Sequence, residues 1–354
     1  MKFMTLTEVS YYSRKYFPHA VLGIVGVFIL YFVLVFIISS LTPVAPSIVT
    51  NPIFGKIRPP LLQNASASGK LTYSLDTIEG QPVTATAAAN VYFLPDQVPH
   101  FGYREQVYLM AKTLGFNTNI ANYSLAGRDA TFTDSLRVLN VDIGTFNFTY
   151  EYKFQQDLLL FFNTVIPAEQ EITNQATNFL QSVGRYPSEL SQGKTNIVYL
   201  KYSPATKKFI VETRPEDANV VEVDFYRPDV DASPQAIPIV SPSYFNSQNY
   251  VILVFNKTGF RVLRAQIKFF EKSTDQIGVY PLRTGDRAWA ELQAGHALFA
   301  QIPPNQEKIT IKNMFLGYLD PDTYQQYLEP VYVFLGENNF VAYVPAVDPS
   351  FIAD

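Results

Sequence analysis

No cysteine occurs anywhere in this sequence, so no disulfide can staple the fold and no lipid can be attached through a thiol. Stability has to come from burying a core, which 354 residues can do as two or three subdomains. A large displayed domain of animal origin would more often be cross-linked, so the absence points to a bacterial source. Histidine is almost as scarce: His19, His100 and His296 stand apart, none with a second histidine at metal-ligand spacing. There is no G-x-S-x-G, no H-E-x-x-H and no glycine-rich phosphate loop. The formal net charge is −4 and no basic block occurs in the body of the chain, which argues against nucleic-acid binding.

What is present is one uninterrupted apolar stretch, Ala20–Leu41, without a charged side chain. As a helix it would be roughly 33 Å long, enough to cross a bilayer core. It exceeds the ~7–15 apolar residues of a signal peptide, so a retained single-pass anchor is expected. Lys2, Arg14 and Lys15 precede it against Glu8 alone, whereas the nearest basic residues beyond are Lys56 and Arg58. Positive-inside then puts residues 1–19 in the cytoplasm and the bulk of the chain outside the cell membrane. Residues 42–70, with Pro43, Pro46, Pro52, Pro59 and Pro60 and then an Ala/Ser run, read as a stiff, then flexible stalk.

Beyond the stalk a helix followed by a β-hairpin recurs, giving units at 71–160, 161–275 and 276–354. The first helix is expected at Tyr103–Leu114, with Val107, Met110, Ala111 and Leu114 on one face and Gly115 just past its end. A second is expected from Pro167 to Gly184, and a third from Thr284 to Gly295. Strands follow each, for example Phe146–Tyr152, Thr195–Tyr202, Val220–Tyr226, Tyr250–Phe255 and Val331–Leu335. Helices alternating with hairpins define an α+β class with antiparallel sheets.

Three apparent sites carry little chemistry. Ser191-Gln-Gly-Lys194, Ser247-Gln-Asn249 and Lys257-Thr-Gly259 match in order the elements of penicillin-recognising enzymes. Gly193 breaks the helix such a serine must open, and the third element follows the second by only one strand. The acidic run Asp224…Asp229-Val-Asp231 lacks the spacing of a calcium loop and reads as solvated loop charge. His296, directly after Gly295, is expected at a helix C-terminus, and Trp289 in a core. No catalytic, cofactor-binding or metal-binding residue is assigned, and no enzyme activity is expected.

Val221-Glu-Val-Asp-Phe-Tyr-Arg227, Tyr280-Pro-Leu282, the Ala288–Gly295 helix, Leu316-Gly-Tyr318, Pro330-Val-Tyr-Val-Phe334 and Ala342-Tyr-Val-Pro-Ala346 together resemble YycH/YycI-type proteins. The similarity runs over Ile166–Val347, about half the chain. It implies PepSY-like helix-plus-hairpin units in a membrane-anchored extracytoplasmic regulator that acts by protein contacts. The implied partner is a membrane or envelope protein such as a sensor kinase, a transporter or a protease. A structural part in an envelope assembly is the second expectation, and a cell-wall enzyme a distant third.

Overall fold

The computed structural model describes residues 16–17, 19, 22–35, 49–62, 71–230, 236–257 and 259–353. They divide into two units, Met1–Val49 and Thr50–Asp354. In the first, residues 22–35 are helical. Residues 20, 21 and 36–41 of the expected anchor lie outside the described set. Among the described residues no helix is long and apolar enough to cross a membrane.

The second unit is α+β. Its chain runs through β1 (Thr72–Leu75), β2 (Ala88–Phe93), helix α1 (Tyr103–Thr113), β3 (Asn122–Ala126), β4 (Asp129–Thr133), β5 (Arg137–Asp142) and β6 (Phe148–Tyr152). Helix α2 (Glu169–Val183) follows, then β7 (Thr195–Ser203), β8 (Lys208–Val211), β9 (Val220–Phe225), β10 (Ile239–Val240), β11 (Tyr250–Asn256) and β12 (Gly259–Ile267). The last part holds β13 (Ile277–Pro281), α3 (Gly285–Ala294), β14 (Leu298–Gln301), β15 (Lys308–Leu319), β16 (Tyr327–Leu328), β17 (Pro330–Gly336) and β18 (Val341–Pro345).

These strands make three sheets. Nine form one antiparallel sheet in the order β3-β4-β5-β6-β12-β11-β9-β7-β8. A six-stranded sheet runs β1-β15-β17-β18-β14 with β10 also on β15, and β13-β2-β16 form a small third sheet. The expectation of antiparallel sheets holds with two exceptions: β1 and β10 both join β15 in parallel. Such pairs need long crossovers, which no local hairpin pattern reveals. Strands from the 71–160 segment enter all three sheets.

The helices end as their sequences dictate. The second begins at Glu169 after the Ala168 cap, so Pro167 precedes the cap and is not the first helical residue. Gly184 and Gly295 both adopt left-handed backbone (φ 79° and 81°), letting Arg185 and His296 bond back to Leu180 and Glu291. Thr284 caps α3, its hydroxyl accepting from the Arg287 amide. Val107, Met110, Ala111, Ile172, Ala176 and Leu180 press α1 and α2 onto one face of the large sheet. Trp289 lies between Tyr73 and Phe334, as expected of a core residue. The proline-rich segment is not all spacer. Asn51 bridges Val279, Ile57 bridges Ile352, and Ile57 is buried. Burying those side chains outweighs the conformational freedom a stalk would keep.

The large and the six-stranded sheets meet at Arg227, just past β9. Its side chain is fully buried. The guanidinium donates to Asp320 (2.9 Å) beyond β15, to both Glu189 oxygens (3.1 and 3.2 Å) and to the Phe270 carbonyl. Gln248 holds the other Asp320 oxygen at 2.8 Å, Lys272 adds a second cation to Glu189, and the Phe269 ring lies 4.4 Å from the guanidinium. Burial alone would raise the Glu189 carboxyl, but Arg227 and Lys272 outweigh it and hold it below the ordinary range. Arg227→Ala would leave Asp320 buried without a cation and Glu189 with Lys272 alone, so urea denaturation should read a loss of about 3–5 kcal/mol. Arg227→Lys should recover only part of it, because an ammonium lacks the fork that spans both acids.

Candidate functional site

Alternation in the strands sorts the nine-stranded sheet into transverse rows. In one row Tyr123, Phe132, Leu139, Tyr150, Ala265, Val251, Val223 and Ile197 stand opposite one another across eight strands. This row is apolar and lies under α1 and α2. The adjacent row points the other way and reads Ser124, Thr131, Asn140, Thr149, Gln266, Tyr250, Asp224 and Asn196. Every one of these carries a hydrogen-bonding group. All except Asp224 are exposed or half-buried.

Two depressions open on this polar face and share Asn140 and Thr149. The larger, about 710 Å³, has Thr131, Asn140 and Thr149 in its floor and Arg128, Asp142, Lys268, Phe270 and Tyr324 around it. The smaller, about 260 Å³, is lined by Glu151, Tyr250 and Arg264 among others. Within the row, the Thr131 hydroxyl donates to Asn140 Oδ1 (2.8 Å) and Asn140 Nδ2 donates to Thr149 (3.3 Å). Gln266 Nε2 is held by the Gln248 carbonyl at 2.9 Å.

The rim is fixed by paired charge. Arg128 bonds Asp142 (3.1 Å) and Asp96 (2.8 Å), and Asp142 also accepts from the amides of Gly144 and Thr145. Burial pushes the Asp142 carboxyl up, yet Thr145 and Arg128 together bring it below the ordinary range. Gly144 is required in this turn: a Cβ there would sit 2.1 Å from the Gln97 carbonyl oxygen. Arg264 pairs with Glu151 at 3.0 Å. On one wall the rings of Phe270 and Tyr324 meet edge-on at 5.9 Å, and the Tyr324 hydroxyl donates to the Leu94 carbonyl.

At the far part of the face, Glu222 and Asp224 project from β9 side by side, while Val221, Val223 and Phe225 point into the core. Asp224 is fully buried, and its Oδ1 has no hydrogen-bond partner among the described residues. Burial and then the neighbouring Asp224 push the Glu222 carboxyl up to about 7. Burial pushes Asp224 up to about 6, despite hydrogen bonds from Ser247, Asn196 and Tyr226. Near neutrality Glu222 is therefore partly protonated, because its charge is desolvated and then opposed by Asp224.

The residues singled out by sequence are dispersed. Ser191 donates to the Ser188 carbonyl at 2.6 Å and Ser247 to the Phe225 carbonyl at 2.6 Å, whereas Lys257 lies past the opposite end of β11, about 23 Å of strand away. Thr258 of that tripeptide lies outside the described residues, so does Asp231 of the acidic run, and Lys194 faces Asp229. Asp224 is not solvated loop charge: it is a buried strand residue, because its position alternates with Val223 and Phe225. His296 bonds Glu291 at the end of α3, His100 packs on Phe146, and His19 lies in the first unit. Among the described residues no cluster of three His, Cys, Asp or Glu could hold a metal ion. The polar row escaped the sequence reading. The period-2 alternation that carries it was visible strand by strand, but the register that aligns eight strands was not.

No protein-family model matches the chain, and no curated protein matches it. Among solved structures, an uncharacterized protein from Eubacterium rectale is 10% identical over 80% of this chain and 89% of that one, with a TM-score of 0.33. The Bacillus megaterium YpeB C-terminal domain is 12% identical over 73% of this chain and 96% of that one, with a TM-score of 0.28.

The carboxyl pair sets a pH dependence with a definite sign. Both acids are raised in the folded state, so folded protein binds more protons than unfolded protein between about pH 4 and 7, and stability falls as pH rises through that window. Glu222→Gln should raise stability by roughly 1–2 kcal/mol at pH 8 and change it little at pH 4. Thermal unfolding of both proteins across pH 4–8 reads the difference.

Proposed function

We propose that this chain is a membrane-tethered extracytoplasmic binding protein that modulates a membrane or envelope partner, a sensor kinase or protease, through protein contacts. The observation that carries the reading is the helix of residues 22–35. All its described side chains are exposed, and none is charged. A helix that is apolar all round is stable only in an apolar medium, and the apolar sequence continues from Ala20 to Leu41, as many residues as a bilayer core requires. The Lys2, Arg14 and Lys15 flank favours an outward-facing Thr50–Asp354 unit. That unit offers a broad polar face suited to recognition. Its resemblance to YycH/YycI-type regulators over Ile166–Val347 favours a regulatory role with PepSY-like units.

Protease added to intact spheroplasts should degrade the Thr50–Asp354 unit and leave a membrane-bound stub. Photo-crosslinkers placed on the outer unit should capture one recurrent membrane protein in near-equal amount. Full protection from protease, or a chain found wholly in the soluble fraction, would overturn the tether. Large homomeric adducts in place of a single partner would instead favour a structural part in an envelope assembly.

A further inference from the structure

The uncovered row across the large sheet has three properties that together narrow its ligand. The first is its period. Successive members are one strand apart, about 4.8 Å, over seven spacings, so the row extends about 34 Å. A small molecule would use a fraction of it. A linear polymer lying across the strands would use all of it, provided its own repeat is near the strand spacing. Successive pyranose rings of an extended β-linked glycan have such a repeat, and their glycosidic bonds can follow the gradual twist of the sheet.

The second property is charge. Seven of the eight members are neutral and only Asp224 is an acid. Beside them Arg264 pairs with Glu151 and Arg128 with Asp142, while Lys268, Asp129 and Asp322 at the larger depression form no ion pair among the described residues. The rim of the larger depression holds two cations, Arg128 and Lys268, against three acids, Asp129, Asp142 and Asp322, so it offers no excess positive charge to an anionic polymer. Hydroxyls and amides that both donate and accept match the hydroxyls of an uncharged sugar. The third property is the aromatic wall. Phe270 and Tyr324 beside the larger depression, and Tyr250 within the row, supply ring surface for the apolar faces of pyranoses. Asp224 lies below the accessible surface, its Oδ1 included, so the contacts come from the seven neutral members. A peptide would bind elsewhere: its backbone gains a sheet's hydrogen bonds at an edge strand, not on a face.

We infer that the polar row from Ser124 to Asn196 binds a neutral, unbranched, β-linked glycan strand laid across the sheet. The inference rests on the reading of the chain as an extracytoplasmic binding protein, since that placement would bring it to envelope polysaccharide.

Calorimetric titration of the full chain in a sugar-free detergent tests it, with chitohexaose, cellohexaose and their disaccharides as probes. At least one hexasaccharide should bind, and at least tenfold tighter than its disaccharide, because the longer chain spans more of the row. Asn140→Ala and Gln266→Ala should each weaken that binding at least fivefold with unchanged thermal unfolding, while Lys312→Ala, on the six-stranded sheet, should leave it intact. Absence of binding by both hexasaccharides, equal affinity for long and short chains, or row variants that bind like the parent would overturn the inference. So would an extended peptide that binds with the row's mutational pattern where the glycans do not. A failed titration alongside a captured membrane partner would remove the ligand and leave the tethered role standing. Binding by a chain found in the soluble fraction would do the reverse.

Discussion

The buried Arg227 is the constraint on which the arrangement of the Thr50–Asp354 unit depends. It follows the last residues of β9, and its fork reaches Glu189 on one side and Asp320 on the other. Glu189 belongs to the segment between α2 and β7, Asp320 to the end of β15, so one side chain joins the large sheet to the six-stranded one. Taking three charges out of water costs several kcal/mol per ion, and only near-complete hydrogen bonding offsets it. The surroundings supply that through Gln248, Lys272, the Phe270 carbonyl and the Phe269 ring. An apolar cluster of the same volume could stabilise as well, but it would not fix the angle between two sheets. The ion pairs do, because each oxygen has one place to go.

That fixed angle bears on the polar face. The larger depression is floored by strands of the nine-stranded sheet, yet Asp322, Thr323 and Tyr324 on its wall follow β15. Asp320 lies two residues before them. The geometry of the recess is therefore set by the same side chains that join the sheets, and a shift at Arg227 would widen or close it. Glu222 and Asp224 lie on the strand that leads into Arg227, so this stretch of β9 carries both the buried cation and the buried acid pair. The acids weaken the fold as they ionise, whereas Arg227 and its partners hold it. Opposed contributions three residues apart are expected where a strand serves both recognition and architecture.

Much of the fold was legible locally. The three helices were placed by apolar spacing and glycine, and Gly115, Gly184 and Gly295 all adopt the left-handed backbone their positions implied. Most strands of the second half were read from alternation to within a few residues. Four strands before Arg137 were not read, because Thr72–Leu75, Ala88–Phe93, Asn122–Ala126 and Asp129–Thr133 are short and mix small with polar residues. Their pairing partners lie far away: Thr72 with Lys308, Ala88 with Pro281. Periodicity reports a residue's face, not its partner strand. The same limit hid the polar row, whose members are separated in sequence by up to about 140 positions. It also hid Asp224, which sequence proximity to Asp229 grouped with loop charge and which strand alternation places in the sheet.

A solvent-facing side of an antiparallel sheet is ordinarily polar, and solvation alone would account for polarity here. It does not account for the kind of polarity. Surfaces selected only for solubility are rich in interspersed Lys, Glu, Arg and Asp, whose charge also blocks unwanted association. Along this row one member in eight is a carboxylic acid, and that one is fully buried with its carboxyl pushed up to about 6. Beside the row Arg128 pairs with Asp142 and Arg264 with Glu151, and the remaining charges at the larger depression, Lys268 against Asp129 and Asp322, leave no excess of positive charge. Neutral hydroxyls and amides confer little protection against aggregation but make directional contacts whose strength salt does not screen. A face built that way across eight strands, with an aromatic wall at its larger depression, favours recognition of a ligand.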